Sequence, residues 1–275
     1  MQRVFITGAS SGLGSALARR YAEQGASVAL VARRLPQLQA LAASLTHPER
    51  HRLYALDVTD HAALARAAVD FMDACGGIDI VIANAGISQG TLTEHAEDLP
   101  VFERIVATNL NATVATFAPF IAALQQQAKQ APGAPLRLVG IASVAGIRGL
   151  PGASAYSASK AAVISYCESL RVELRSVGIR VVTIVPGYID TPMTQVNAYA
   201  MPFLMPAARF AERAVDAIEA GDSYRVIPWQ MGLVAKLLRA LPNWLYDLAF
   251  SKAPHKARVA ALPAPGPVRS SEELP

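Results

Sequence analysis

The chain has 275 residues, of which 52% are hydrophobic and 17% charged, and its formal net charge is +4. The length allows one sizeable core, and the apolar composition excludes a disordered or strongly solvated chain. Much of the basic excess lies after residue 224, and we find neither a basic stripe interleaved with aromatic side chains nor a known nucleic-acid recognition motif, so we expect no nucleic-acid partner.

The cysteines and the first residues indicate where the protein works. Cys75 and Cys167 cannot build a disulfide framework and lack ligand-like spacing to histidines, so we expect no metal site. An apolar strand begins at residue 4, which leaves no room for a signal peptide, and no run of about 20 apolar residues predicts a membrane-spanning helix. We therefore expect a cytoplasmic protein, with contact at the inner membrane face as an alternative.

Apolar strand-like runs alternate with helix-like segments through the first 190 residues. The runs are rich in Val, Ile and Leu and lack polar alternation, which is typical of strands buried on both faces; they are residues 4–7, 28–32, 53–56, 78–83, 136–142 and 180–185. The helical candidates are 14–24, 35–45, 61–74, 101–127 and 155–177. This alternation predicts an α/β fold with a doubly wound parallel sheet.

The first apolar run leads directly into a glycine-rich segment, TGASSGLG at residues 7–14. Glycines at this spacing allow a tight turn and let backbone N–H groups approach a pyrophosphate at a helix N-terminus. An ordinary turn is the alternative. The position of the segment, between a strand and a helix, favours dinucleotide binding.

The end of the second run indicates which dinucleotide is bound. Ala32 and Arg33 stand where an NAD site places a carboxylate for the adenosine ribose hydroxyls. A guanidinium suits a 2′-phosphate instead. The alternative, a solvated arginine at a helix start, is unfavourable beside the helix dipole. The sequence therefore predicts NADP(H) in preference to NAD(H).

A polar residue or a glycine follows each apolar run. In chain order these residues are Gly8, Arg33, Asp57, Asn84, Ser143 and the pair Pro186-Gly187. Ligands of open α/β sheets bind beyond the carboxyl ends of the strands. Any one of these residues could belong to a turn, but together they predict a site at one edge of the sheet.

Tyr156 and Lys160 lie four residues apart in a predicted helix, and therefore on one face, one turn apart. The ammonium would favour the phenolate of a side chain whose ordinary pKa is about 10, which suits Tyr156 to acid/base chemistry. Taken alone, a pair at this spacing is more often a surface contact. The dinucleotide site predicted elsewhere in the chain favours the catalytic interpretation.

Together these motifs resemble those of the short-chain dehydrogenases/reductases. The matching positions, within about residues 3–193, are 7–14, Asp57-Val58, Asn84-Ala85-Gly86, Asn109, Ser143, 156–160 and Pro186-Gly187. Ala83, where the family often has a second asparagine, is a common variant. The resemblance implies a seven-stranded Rossmann-type sheet and reversible hydride transfer between a nicotinamide cofactor and a carbonyl or alcohol.

The resemblance also implies catalytic roles. Tyr156 protonates the substrate oxygen in reduction or deprotonates it in oxidation, and Lys160 lowers the pKa of Tyr156 and holds the nicotinamide ribose. Ser143 hydrogen-bonds the substrate oxygen. Asn109, rather than its neighbour Asn111, positions a water that relays protons to Lys160. The alternatives are capping of local backbone by Ser143 and bonding to neighbouring helix residues by Asn109.

Further residues are implied to surround the cofactor. The implied contacts are Gly8, Ser10, Ser11, Gly12, Leu13 and Gly14 at the phosphates, Asp57 and Val58 at the adenine, Asn84, Ala85 and Gly86 at the ribose, and Pro186, Gly187, Ile189 and Thr191 at the nicotinamide. The resemblance also suggests pairing through the helices around Asn109 and Lys160, which would give a homodimer or a homotetramer.

We predict a catalytic domain at residues 1–225, which includes a substrate loop at 190–222. The loop carries Met193, Met201, Phe203 and Met205 among prolines, which suits an adaptable apolar lid. Packing of a short helix on the core is an equal alternative, and Tyr188 could face the substrate. The expected substrate is therefore a lipophilic ketone, aldehyde or secondary alcohol. The alternatives are a non-catalytic NADP(H) sensor, which would not need the Tyr156 phenol, and a membrane-peripheral lipid ketoreductase.

A helical extension at 226–262 and a disordered tail at 263–275 are predicted to follow. Both tryptophans, Trp229 and Trp244, lie in the extension, together with many leucines and the basic residues Lys236 and Arg239. An amphipathic helix of this kind can lie on a membrane surface, pack on the catalytic domain or cross a subunit interface. The sequence favours the last two.

Overall fold

Nine short strands lie in the part of the chain that the computed structural model describes, which is residues 1–197, 199–251 and 258. They are β1 (Arg3–Thr7), β2 (Ser27–Ala32), β3 (Arg52–Ala55), β4 (Ile80–Ala83), β5 (Arg137–Ile141), β6 (Arg180–Pro186), β7 (Ile189–Asp190), β8 (Met205–Pro206) and β9 (Tyr224–Ile227). Seven of these described strands form a parallel sheet in the order β3-β2-β1-β4-β5-β6-β9, while β7 pairs with β8. The predicted seven-stranded Rossmann-type sheet is confirmed.

The inner strands match the predicted apolar runs because both of their faces are covered. Every residue of β2, β4 and β5 is buried. Along β1, Val4 and Ile6 face one hydrophobic core and Phe5 faces the other. The edge strand β9 begins with two exposed residues, so it lacks this signature. It crosses the boundary predicted after residue 225, and the sheet ends at Ile227 instead.

Helices cover both faces of the sheet. Those in the described residues are α1 (Gly12–Glu23), α2 (Leu35–Ala43), α3 (His61–Cys75), α4 (Leu99–Val106), α5 (Ala112–Phe117), α6 (Ile121–Gln130), α7 (Ser154–Glu173), α8 (Pro192–Gln195), α9 (Ala207–Ala220), α10 (Trp229–Ala240) and α11 (Asn243–Phe250). One core lies under α1, α2 and α9, and the second under α3, α5, α6 and α7. This arrangement leaves the carboxyl ends of the strands free to form a site.

The helix predicted at 101–127 is a longer and less regular element. A π turn at Ala107–Asn111 joins α4 to α5, and a 3₁₀ turn at Ala118–Phe120 joins α5 to α6. By length and composition alone the whole segment, Ala96–Gln130, could cross a membrane, which the sequence analysis did not anticipate. Its Phe117, Phe120 and Leu124 are fully buried in the second core, so in this fold it packs as a core helix.

The C-terminal helices differ in how they are held. Met231, Gly232 and Ala235 of α10 are buried against the sheet, whereas each of the eight residues of α11 is at least partly exposed. Beyond residue 251 the described residue is Arg258, whose Nε donates to Asp98 Oδ2 at 2.7 Å. The predicted tail at 263–275, and the rest of the predicted extension after residue 251, lie outside the described residues.

Candidate active site

A cleft of about 410 Å³ opens at the carboxyl ends of the strands. Two of the predicted site residues, Gly14 and Asn109, do not line it. The predicted residues that line it are Gly8, Ser10, Ser11, Gly12, Leu13, Arg33, Asp57, Val58, Asn84, Ala85, Gly86, Ser143, Tyr156, Lys160, Pro186, Gly187, Ile189 and Thr191. The cleft therefore brings together residues that are spread along the chain from Gly8 to Thr191.

The glycine-rich segment forms the floor of the cleft between β1 and α1. Gly8 has a φ of +69° and Gly12 a φ of +57°, which side chains with a Cβ rarely adopt. A Cβ on Gly14 would lie 2.3 Å from the carbonyl oxygen of Gly8. Gly14 therefore lies beneath the loop and allows the helix to approach the strand closely.

Asn84 holds the end of β4 against the end of β1. Its Nδ2 donates to the carbonyl oxygen of Thr7 at 2.9 Å, and its own N–H donates to Thr7 Oγ1 at 3.1 Å. The backbone N–H of Ala85 donates to the same hydroxyl at 3.2 Å. These bonds fix the point where the strand order reverses, which is where open α/β sheets bind ligands.

Two arginines stand at the end of the cleft beside β2. Arg33 Nη1 lies 3.6 Å from Asp57 Oδ2, and Arg34 Nη2 donates to the hydroxyls of Ser10 and Ser11 at 3.1 and 3.3 Å. Burial would raise the pKa of Asp57, but hydrogen bonds from Thr59 and the charge of Arg33 lower it below its ordinary value. Of the two guanidiniums, the one bonded to the glycine-rich loop is that of Arg34, which the sequence analysis did not select.

The phenol of Tyr156 lies beside the hydroxyl of Ser143. Burial raises the pKa of Tyr156 above its ordinary value, and a hydrogen bond from Ser143 acts in the opposite direction. The sequence assigned the lowering influence to Lys160; in this structure Ser143 exerts it. Ser143 Oγ also accepts a hydrogen bond from the N–H of Ala145 at 3.2 Å, so the local capping considered as its alternative role is present as well.

Lys160 is buried one helical turn beyond Tyr156. Its Nζ donates to the carbonyl oxygen of Ile141 at 2.8 Å and lies 5.9 Å from the centre of the Tyr156 ring. Burial lowers the pKa of Lys160 to about 8. A Cβ on Gly86 would lie 3.4 Å from this amine, so the glycine leaves the space above Lys160 open.

Asn109 lies behind the cleft in the π turn and is fully buried. Its Oδ1 accepts from the N–H of Ile87 at 2.8 Å, and its Nδ2 donates to Ile87 O and to Ser159 Oγ, both at 3.0 Å. Both amide N–H groups therefore have protein partners, and the side chain joins the loop after β4 to α7. The competing Asn111 is exposed. The predicted water relay stays a prediction and would depend on the carbonyl oxygens of Asn109.

The far wall of the cleft is built by the residues after β6. A Cβ on Gly12 would lie 3.4 Å from Thr191 Cβ, so Thr191 reaches the glycine-rich loop. Thr194 Oγ1 holds that turn by donating to Ile189 O at 2.6 Å and accepting from the N–H of Thr191 at 3.1 Å. Thr194 was not predicted from the sequence, although its spacing from Thr191 is that of a capping box.

Residues of the predicted substrate loop differ in whether they pack on the core or lie at the cleft, the two roles expected for this loop. Met205 is buried in the first core, so here the packing interpretation applies. Met193 lines the cleft, and Phe203 is half exposed. Tyr188 lies against Tyr199, with ring centres 6.4 Å apart, and burial raises the pKa of Tyr199, as do the nearby phenols of Tyr188 and Tyr156. Tyr199 therefore lies near the reacting end of the cleft, which the sequence did not indicate.

Other cleft residues missed by the sequence analysis come from α4 and the π turn. Arg104 and Thr108 line the cleft, and Arg104 Nη2 donates to Gln89 Oε1 at 2.8 Å. They lie on a long helical segment and do not follow a strand in the sequence. Their position at the cleft depends on how that segment crosses the edge of the sheet, which the sequence does not show. Arg34 could have been predicted from the sequence, because it follows Arg33 directly and carries the same charge.

A family model described as short chain dehydrogenase matches residues 2–200 of this chain. The chain belongs to the short-chain dehydrogenases. The family accounts for the sheet order, the glycine-rich loop and the neighbouring Tyr156 and Lys160 in one site. As a member, the protein is an oxidoreductase with a Rossmann fold that binds a nicotinamide cofactor and acts on a small molecule.

Relatives of this short-chain dehydrogenase include an uncharacterized oxidoreductase of Myxococcus xanthus, 42% identical over 254 residues, which cover 89% of this chain and 94% of the relative. An 11-beta-hydroxysteroid dehydrogenase 1A of Arabidopsis thaliana is 34% identical over 70% of this chain and 53% of its own length. The structure of the present chain is similar to that of a 3-ketoacyl-(acyl-carrier-protein) reductase of Brucella melitensis complexed with NADH. That likeness has a TM-score of 0.74 and 25% identity over 82% of this chain and 96% of the other.

Proposed function

We propose that the protein is an NADP(H)-dependent oxidoreductase that interconverts a carbonyl and an alcohol of a lipophilic substrate, with bound cofactor giving or taking a hydride at its nicotinamide C4. One observation carries the proposal. Tyr156, Ser143 and Lys160 meet at the β5 end of a cleft that carries Arg33 and Arg34 at its β2 end. A proton donor at one end and two cations at the other suit a carbonyl and a 2′-phosphate.

The residues present fit such a cofactor. Gly8, Gly14 and Gly86 let the backbone of the cofactor loops pack closely, because a Cβ on them would lie 2.8, 2.3 and 3.2 Å from the nearest protein atoms. Backbone N–H groups at the start of α1 suit a pyrophosphate. No carboxylate follows β2 at Ala32, where a ribose diol would need one.

In this proposal the protein's own groups move and hold a proton. Because burial raises the pKa of Tyr156, its phenol carries a proton at neutral pH and can give it to the oxygen of a carbonyl undergoing reduction. Ser143 holds that oxygen with its hydroxyl. Lys160, whose pKa burial lowers to about 8, is mainly protonated at neutral pH, and it would hold the ribose of the nicotinamide.

Changing both arginines to alanine should remove the preference for NADPH. Charge-assisted hydrogen bonds contribute about 1.5–3 kcal/mol, so in R33A/R34A we expect the Kd for NADPH to rise roughly tenfold to a hundredfold. The Kd for NADH should change little. Fluorescence titration of each cofactor measures both constants, and the two single variants show how much each guanidinium contributes.

Arg19→Ala is the matched control, because Arg19 lies on α1 and bonds Ser44 instead of the cleft. It should bind both cofactors as the native chain does. Equal affinity of the native chain for NADPH and NADH would contradict the proposed preference, and so would a double variant that keeps its preference for NADPH.

The substrate class should appear in a series of ketones of increasing chain length. Met193 at the cleft and the exposed Phe203 and Leu204 of the predicted substrate loop support an apolar partner, as does the steroid named for the Arabidopsis relative. Burying one methylene is worth about 0.8 kcal/mol, so kcat/KM should rise roughly fourfold per carbon until the site is filled. NADPH consumption measures this, and a flat or falling series would contradict a lipophilic substrate.

We also propose a homodimer or homotetramer paired through the helices around Asn109 and Lys160. Exposed apolar side chains on these helices support it, namely Leu99 on α4, Val114 on α5 and Val172 on α7.

A further inference from the structure

Two helices at the end of the described chain present an apolar surface to solvent. Its members are Trp229, Leu233 and Leu237 of α10 and Trp244 and Leu248 of α11, which we call the C-terminal apolar face. Their exposed fractions are 66%, 57%, 60%, 70% and 71%. The three residues on α10 follow at intervals of four, so they form one stripe along the helix. Exposed patches of this kind mark surfaces that bind something.

The opposite side of α10 is already occupied. Met231 and Ala235 are buried, and a Cβ on Gly232 would lie 3.1 Å from Val226 of β9. Apolar side chains therefore lie on two sides of the helix, which is typical of a helix covered on both sides. Packing on the catalytic domain, one of the roles predicted for this extension, uses the buried side and leaves the C-terminal apolar face to an external partner.

The charges beside the C-terminal apolar face are mainly positive. Lys236 and Arg239 are exposed on α10, and between residues 229 and 251, all of which are described, the single acid is Asp247. Two tryptophans with apolar bodies and polar edges, next to basic side chains, are typical of helices that lie in a bilayer interface. Negatively charged lipid head groups are complementary to this surface.

A dense set of polar contacts holds the two helices together. Arg148 Nη1 donates to the carbonyl oxygens of Leu238 and Leu241 at 2.7 and 2.9 Å, at the end of α10. Its guanidinium carbon lies 4.0 Å from the centre of the Tyr246 ring on α11, and its Nη2 donates to Asn243. Arg148 thus fixes α11, which has little packing of its own, relative to α10.

The same contacts place this surface next to the candidate active site. Arg148 lies on the loop between Ser143 and Tyr156, and a Cβ on Gly187 in the cleft would lie 2.6 Å from Met231 Cγ. A lipophilic molecule dissolved in a bilayer under α10 would therefore be close to the cleft.

We propose that the C-terminal apolar face docks the protein on the surface of an anionic lipid bilayer. A second copy is less suitable, because a two-fold interface would bury Lys236 and Arg239 of both copies, and between residues 229 and 251 only Asp247 could pair with them. In the bilayer interface the tryptophans and leucines enter the acyl boundary, while Lys236 and Arg239 reach the phosphates. The proposal concerns location, so it stands apart from the reaction proposed for the cleft.

Vesicle sedimentation with the full-length chain tests the proposal. We expect binding to vesicles of phosphatidylcholine and phosphatidylglycerol, weaker binding to phosphatidylcholine alone, and release by added salt. Replacing both tryptophans, W229Q/W244Q, should lower the partition coefficient more than about tenfold. Lys236→Glu keeps the apolar stripe and should weaken binding to the anionic vesicles selectively.

Val69→Gln is the matched control, because Val69 is an apolar side chain on α3 that is also half exposed. It should bind vesicles as the native chain does, and all variants should keep the circular dichroism of the native fold. Absence of binding to either kind of vesicle would overturn the proposal. So would a tryptophan variant that binds vesicles normally but has a smaller oligomer by light scattering, because a second copy would then be the partner. Neither measurement needs turnover, so failure here is distinguishable from failure of the proposed reaction.

Discussion

Tyr156→Phe should lose roughly a hundredfold to ten-thousandfold in kcat for carbonyl reduction while binding NADPH as the native chain does. The change removes one oxygen from a partly buried side chain and keeps the ring in place. The phenol lies beside Ser143 and within one helical turn of buried Lys160, and it is the group that we propose passes a proton to a substrate oxygen. Steady-state turnover and fluorescence titration of NADPH measure the two parts separately.

Tyr166→Phe is the matched control on the same helix. Tyr166 stacks on Phe117, with ring centres 6.3 Å apart, and lies outside the cleft. Its kcat should stay close to that of the native chain. Undiminished turnover in Tyr156→Phe would overturn the assignment of the acid/base. Loss of both turnover and NADPH binding would instead show that Tyr156 mainly shapes the cofactor cleft.

Gly14→Ala should lower both stability and cofactor affinity. A Cβ there would lie 2.3 Å from Gly8 O and 2.6 Å from Asn84 Nδ2, and the first of these atoms is backbone that cannot rotate away. Forcing a methyl group into a packed site costs about 1–3 kcal/mol. The strain falls on the loop that is proposed to bind the phosphates. We expect a lower melting temperature and a Kd for NADPH raised more than roughly tenfold.

Gly149→Ala separates this clash from the general effect of losing a glycine. No atom lies within 4 Å of a Cβ placed on Gly149, and its φ is outside the left-handed region. Its melting temperature and NADPH affinity should match those of the native chain. If Gly14→Ala also matched the native chain in both measurements, the close approach of α1 to β1 would have no energetic consequence.

Much of the fold was predictable because burial on both faces leaves a strong pattern in sequence. The six predicted runs contain or overlap β1 to β6, and their helices follow in the expected order. The last strand of the seven-stranded sheet, β9, was not located from the sequence, because its first two residues are exposed at the sheet edge. The π turn around Asn109 was also missed, since an extra residue in a helical turn leaves the apolar pattern almost unchanged.

The site was predictable to the extent that strand ends mark it. Parallel strands direct their carboxyl ends to one edge, so Asp57, Asn84 and Ser143 could be placed together from their positions alone. Residues on helices that cross this edge, such as Arg104, have no such marker. The roles assigned to the catalytic residues stay predictions until the variants above are measured.

The sequence by itself determined the alternating pattern, the glycine-rich loop and the four-residue spacing of Tyr156 and Lys160, because these depend on local periodicity and backbone sterics. Tertiary structure alone decided which groups act on one another. In the folded chain Arg34 donates a hydrogen bond to the hydroxyl of Ser10 in the glycine-rich loop, and Arg33 forms an ion pair with Asp57. Burial, which also depends on the fold, is the main influence on the pKa of Tyr156. Electrostatic environment and hydrogen-bond partners depend on distances between segments far apart in the chain, and sequence spacing does not contain those distances.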